Sequence, residues 1–141
     1  MDLNMQVLVV DDFVQMRRIL RDVLKQIGFR NIADAEDGLA AIRVLKKQKI
    51  ELILADWNMP NMTGLELLKA VRNDESLKSI PFVMVTAEAQ ESAVLEAVQA
   101  GATNYIVKPF TASTVEEKLK DIFDRPAPRK PRPEGRGRGE L

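Results

Sequence analysis

Five side chains of distinct chemistry stand where short apolar runs end. Asp11 and Asp12 follow Val7-Leu8-Val9-Val10, Asp56 follows Leu52-Ile53-Leu54-Ala55, Thr86 closes the run from Ile80 to Val85, and Lys108 follows Asn104 to Val107. Taken singly, each has a bland explanation. An Asp after a strand is commonly a cap or turn former, and a Lys before a Pro is commonly a solvated loop residue. Taken together they are three carboxylates, a hydroxyl and an ammonium. If the fold gathers them in one crevice, the carboxylates repel unless a cation screens them or one takes up a proton. A hard divalent ion meets that need, and Mg²⁺ ordinarily takes one or two carboxylates, keeps waters and completes its shell with phosphate oxygens. Lys108 and Thr86 then suit phosphate oxygens, and Asp56 is left as a carboxylate nucleophile able to form an acyl phosphate.

Composition narrows the alternatives. The 141-residue chain contains no Cys and no His. Disulfides, thiol nucleophiles, Cys- or His-ligated metals, Ser-His-Asp catalysis and self-phosphorylation on histidine are all excluded. Only Gly28, Gly38, Gly64 and Gly101 precede residue 125, so neither GxxxxGK[ST] nor GxGxxG occurs, which disfavours nucleotide hydrolysis and dinucleotide binding. A haloacid-dehalogenase-type phosphatase would carry an acid two residues after its Asp nucleophile; Asn58 stands there instead. No run approaches the roughly 18 apolar residues of a membrane span, and no leader of the secretory type is evident, so a cytoplasmic protein without membrane insertion is expected.

The elements that must position these groups alternate. The runs named above read as strands, with Asn31 to Ala35 a weaker second one. Met16, Ile19, Leu20, Val23, Leu24 and Ile27 recur at helical spacing, and Gly28 is placed to end that helix. Ala41, Val44 and Leu45 mark a second helix after Asp37-Gly38. Leu65, Leu68 and Val71 mark a third, Ala93, Val94, Ala97 and Val98 a fourth stopped by Gly101, and Val115, Leu119, Ile122 and Phe123 a fifth. The result is (βα)₅, an α/β fold whose strands must be parallel, with right-handed crossovers on both faces. In such open sheets ligands bind at the carboxyl ends of the strands, where the five chemical residues fall.

The net charge of zero conceals an asymmetry. Residues 125–141 carry six basic and two acidic side chains, leaving residues 1–124 with a net charge of −4. An acidic body argues against a nucleic-acid partner. The Pro-, Arg- and Gly-rich segment 125–141 has too little apolar surface to offset its ordering entropy and is expected to be a disordered basic tail. The domain is expected to span residues 1–124.

Asp11-Asp12, Asp56, Thr86 and Lys108-Pro109 resemble the site of two-component response regulator receiver domains over about residues 5–124. The strings VVDDFVQMRRIL, DWNMPNMTGLELL, VTAEA and KPFTAS resemble the chemotaxis members of that family. The resemblance implies a flavodoxin-like three-layer sandwich with sheet order 2-1-3-4-5. It implies that a histidine kinase phosphorylates Asp56, that Asp12, Asp56 and the backbone carbonyl of Asn58 hold Mg²⁺, and that Asp11 does so mainly through water. Lys108 would contact the phosphoryl oxygens across a cis Lys108-Pro109 bond, Thr86 would sense the phosphate and Tyr105 would move with it. Asn58 and Glu88 would tune self-dephosphorylation. Ala89, Val94, Tyr105 and Lys118 would lie on the partner surface.

By the same resemblance the chain would be a monomeric signalling switch rather than an enzyme acting on separate substrates, catalysing only its own phosphoryl transfer and loss. Its target would be the flagellar motor switch protein, with a dedicated phosphatase as a further partner. The alternatives are a phosphorelay intermediate or phosphate sink without motor binding, and a phosphatase on the same scaffold. The family loop commonly reads MPxMDG, whereas here Thr63 precedes Gly64; Thr can cap the following helix in place of Asp. Gln90 and Glu91 stand where chemotaxis members are often basic, and the tail has no family counterpart.

Overall fold

In the computed structural model, residues 1–87 and 90–124 are described. The elements follow in the order β1 (Gln6–Val10), α1 (Val14–Ile27), β2 (Asn31–Ala35), α2 (Gly38–Lys47), β3 (Leu52–Asp56), α3 (Gly64–Arg72), β4 (Phe82–Thr86), α4 (Glu91–Ala100), β5 (Asn104–Val107) and α5 (Ala112–Phe123). The strands form one parallel sheet in the order β2-β1-β3-β4-β5. The tail at 125–141, together with Glu88 and Ala89, lies outside the described residues.

Strand alternation divides the core into two layers. Val7, Val9, Leu52, Leu54, Val83, Val85 and Ile106 face one cluster, which Leu20 and Leu24 of α1 and Val115 and Leu119 of α5 complete. Leu8, Val10, Ile53, Ala55, Phe82, Met84 and Tyr105 face the other, which residues of α2, α3 and α4 complete. Every residue of β3 and β4 is buried, as central parallel strands covered on both faces require.

Local chemistry sets the helix ends. Gly28 ends α1 and Gly101 ends α4, both with positive φ, at 127° and 108°. Asp37 caps α2 by accepting from Ala40 N at 2.8 Å. Thr63 does cap α3: its Oγ1 accepts from Glu66 N at 3.1 Å while Glu66 Oε1 accepts from Thr63 N at 2.9 Å, a reciprocal capping box. Two helical assignments need correction in their facing. Ile19 and Val98, counted with the inward stripes by their spacing, are 47% and 53% exposed. They sit at the margins of their stripes, beyond the reach of the sheet.

Candidate functional site

The sheet order reverses between β1 and β3: the chain leaves β1 toward β2 on one side and continues from β3 toward β4 on the other. A crevice opens at such a switch point. Val10 pairs with Ala55, so the residues that follow, Asp11 and Asp56, emerge side by side. Asp56 in turn pairs with Val85, and Thr86 with Val107, which brings Thr86 and Lys108 to the same edge. The amide of Lys108 donates to the carbonyl of Thr86 at 2.8 Å, tying the two strand ends together. The peptide bond from Lys108 to Pro109 is cis.

One carboxylate oxygen from each of Asp11, Asp12 and Asp56 lies within 4.8 Å of the others. Asp11 is fully buried and Asp56 nearly so. The ammonium of Lys108 reaches over both, 3.1 Å from Asp56 Oδ1 and 3.4 Å from Asp11 Oδ2. Burial pushes the Asp56 carboxyl above its ordinary range; the hydrogen bond and charge of Lys108 oppose the rise, while the charges of Asp11 and Asp12 add to it. Asp11 is anchored through its other oxygen, which accepts from Phe13 N at 2.9 Å.

Asp12 is less well satisfied. Its Oδ1 is buried with no hydrogen-bond partner among the described residues. Such an atom is costly unless something pairs with it. An all-oxygen donor set, clustered and carrying one orphaned carboxylate oxygen, fits a hard divalent cation such as Mg²⁺.

The structure therefore gathers Asp11, Asp12, Asp56, Thr86 and Lys108 at one edge of the sheet. Asn58 is exposed in the loop after β3, two residues past Asp56. Thr86 is fully buried, and Tyr105 is already packed inward at 7% exposure. Val94 on α4 is half-buried against the core. Lys118 on α5 is half-buried, and its carbonyl accepts from Asn104 Nδ2 at 2.9 Å. Glu88 and Ala89, expected at the site and the partner face, lie outside the described residues.

Two features escaped the sequence reading. Leu95, Val98 and Val107 expose apolar surface on α4 and β5, and Phe13 is 67% exposed beside the acidic loop. An apolar residue that breaks the helical period, as Leu95 does beside Val94, is the signal that could have found the first patch. Gly64 is the second. A β-carbon there would run into the carbonyl oxygen of Asp56 and come within 2.9 Å of Trp57 Cα. Only glycine lets the start of α3 close on the end of β3.

The response regulator receiver domain family matches residues 7–120, and the chain belongs to that family. Receiver domains are signalling switches. The chain is similar to chemotaxis protein CheY-3 of Vibrio cholerae, 52% identical over 122 residues that span 86% of this chain and 94% of that protein. It is also similar to chemotaxis protein CheY of Pseudomonas aeruginosa, 50% identical over 121 residues that span 86% and 98% of the respective chains. Among solved structures, the chemotaxis response regulator CheY4 of Vibrio cholerae matches with a TM-score of 0.79 at 34% identity, covering 85% of this chain and 99% of that one. Among the described residues, no helix is long and apolar enough to cross a membrane.

Proposed function

We propose that this chain is a cytoplasmic response regulator that takes a phosphoryl group onto Asp56 from a histidine kinase and thereby changes its affinity for the flagellar motor switch. The observation that carries the proposal is Asp56 itself, a nearly buried carboxylate at a strand end, held by Lys108 beside Asp11 and Asp12. Similarity to chemotaxis proteins over 94% and 98% of their own lengths supports the choice of pathway.

A deprotonated Asp56 oxygen attacks the phosphorus of phosphohistidine. A phosphorus–oxygen bond forms, the phosphorus–nitrogen bond breaks, and the imidazole leaves with its electron pair and takes a proton from solvent. Asp12, Asp56 and the carbonyl of Asn58 are the groups that would hold Mg²⁺, with Asp11 acting through water. The ion, when bound, supplies positive charge to the transferring phosphoryl oxygens. Lys108 offsets the burial that otherwise favours a protonated Asp56, and from 3.1 Å it needs little motion to follow an oxygen of the new phosphoryl group. Asn58 and Glu88 would tune the self-dephosphorylation of the acyl phosphate.

The signal is read beside the site. A phosphoryl group on Asp56 adds acceptor oxygens next to Thr86, whose hydroxyl donates to one of them by moving inward. Tyr105, already inward here, is the side chain placed to shift into the space Thr86 vacates. The responding face comprises α4, β5 and α5, with Ala89, Val94, Tyr105 and Lys118 among its contacts. Binding of a motor switch peptide to phosphorylated and unphosphorylated protein tests the proposal. Tighter binding after phosphorylation is expected. Equal binding, with rapid phosphate loss to a histidine phosphotransfer domain, would instead mark a relay intermediate.

A further inference from the structure

Arg17 lies on α1, where its spacing suggests an ordinary surface charge, yet its side chain is only 15% exposed. Its guanidinium folds back toward the acidic loop and makes two contacts. Nη1 donates to the backbone carbonyl of Asp11 at 2.7 Å. Nε donates to Asp34 Oδ2 at 3.1 Å, and Asp34 stands on β2 opposite Val9 of β1. The second oxygen of Asp34 lies 3.4 Å from Nη2 of Arg21.

The carbonyl that Arg17 holds belongs to the peptide joining Asp11 to Asp12. Rotation of that plane would re-aim the side chains on both sides of it. The rest of the loop is pinned on the Asp11 side, by Asp11 N donating to Ala35 O at 3.2 Å and by Phe13 N donating to Asp11 Oδ1 at 2.9 Å. Nothing comparable holds the carboxylate of Asp12, whose Oδ1 is buried without a hydrogen-bond partner among the described residues. Its aim is inherited from the backbone, and the backbone there is set by Arg17.

We infer that Arg17 is a positioning residue for the divalent cation: by bridging Asp34 and the carbonyl of Asp11, it fixes the peptide plane that aims Asp12 at the metal. The inference rests on the reading of Asp11, Asp12 and Asp56 as Mg²⁺ ligands. Charge alone predicts the opposite effect, because a guanidinium beside an acidic cluster repels a divalent ion and its removal should tighten binding. Geometry and charge thus differ in sign, which makes the role testable.

Mg²⁺ is titrated into the full chain, with Trp57 fluorescence and calorimetry as readouts, for wild type, Arg17→Ala, Arg17→Lys and Asp34→Asn. Loss of groups that orient metal ligands typically weakens binding by one to two orders of magnitude, so Arg17→Ala should bind Mg²⁺ about tenfold more weakly. Arg17→Lys keeps the charge but loses the fork that reaches two acceptors, and should recover only part of the affinity. Asp34→Asn leaves the guanidinium in place with a weaker anchor and should also weaken binding, but its lost negative charge acts in the same direction, so Arg17→Lys is the variant that serves if Arg17→Ala does not fold. In acetyl phosphate labelling, the half-saturating Mg²⁺ concentration should rise by the same factor while the saturated rate falls less. Unchanged or tighter Mg²⁺ binding in both Arg17→Ala and Arg17→Lys would overturn the inference. Absence of saturable Mg²⁺ binding in the wild type would overturn the metal-site reading itself, and this inference with it.

Discussion

Lys108 Nζ stands 3.1 Å from Oδ1 of Asp56 and supplies the site's own positive charge. Asp56 ends β3, Lys108 follows the last residue of β5, and the two are 52 positions apart in sequence. The side chain of Lys108 is 19% exposed and that of Asp56 only 7%, so the pair is poorly screened. Removing one partner leaves the buried carboxylates uncompensated. Lys108→Ala should therefore destabilise the metal-free protein by about 2 kcal/mol, below the full cost of breaking a wholly buried pair because Lys108 keeps some solvent. Mg²⁺ should recover much of that loss. Urea denaturation with and without Mg²⁺ measures both, and a variant as stable as wild type without metal would contradict the pairing.

The pH dependence has a definite sign. The Asp56 carboxyl titrates above the ordinary value of 3.8, chiefly because it is buried. Between that value and its raised one, the folded state holds a proton that the unfolded chain has lost. Metal-free stability from this group is therefore fully present below the ordinary carboxylate value and declines as pH rises through the raised one. Asp56→Asn lacks the penalty. Its stability relative to wild type should grow as pH rises above the ordinary value of 3.8 and level off above the raised one, and Mg²⁺ affinity of the wild type should fall on acidification through the same window. Denaturation curves of the two proteins that stay parallel across this range would contradict the assignment.

Much of this was legible from residue types alone, for physical reasons. Val7 to Val10 and Leu52 to Ala55 are continuous apolar runs because helices cover both faces of their strands. Strand-end residues of an open parallel sheet share one edge, so Asp11, Asp56 and Lys108 could be grouped before any coordinates. Periodicity fails at the margins of a helical stripe, as Ile19 and Val98 show. It also says nothing about where a long cation folds. Nothing in the residue pattern marks Arg17 or Arg72. Yet Arg72 donates from Nε to the carbonyl of Gly101 at 3.0 Å and from Nη1 to that of Ile80 at 2.7 Å, fastening the far end of the sheet. Neither partner is a side chain, so no residue-type pattern could announce these bonds.

Gly64 tests how tightly the nucleophile is seated. Its amide donates to the carbonyl of Trp57 at 2.8 Å, and a β-carbon would collide with the carbonyl of Asp56. The obstructing atoms are backbone and cannot rotate away. Gly64→Ala should cost about 2 kcal/mol, in the range of overpacked interiors, and should slow acetyl phosphate labelling by displacing Asp56. Stability within about 0.5 kcal/mol of wild type, as for a surface change, would show that the contact is soft.

Thr86 separates phosphorylation from signalling. Thr86→Ala should still accept phosphate on Asp56 but lose most of the gain in target affinity. Coupling of this kind is typically worth about 1–3 kcal/mol, and by reciprocity a motor switch peptide should favour phosphorylation of wild-type Asp56 by the same factor. Peptide titrations of both proteins, with and without a phosphoryl mimic, read the difference. An equal gain in Thr86→Ala would show that another group carries the signal.

The most direct measurement of the central claim is covalent labelling of Asp56. The protein is incubated with acetyl phosphate and Mg²⁺, and the product is analysed by intact mass and peptide mapping. A single phosphoryl group should appear on Asp56, labile to hydroxylamine as an acyl phosphate is, and none should form when the metal is chelated before the donor is added. Asp56→Asn, with Asp11, Asp12 and Lys108 intact, should remain unlabelled; full labelling of that variant would contradict the account.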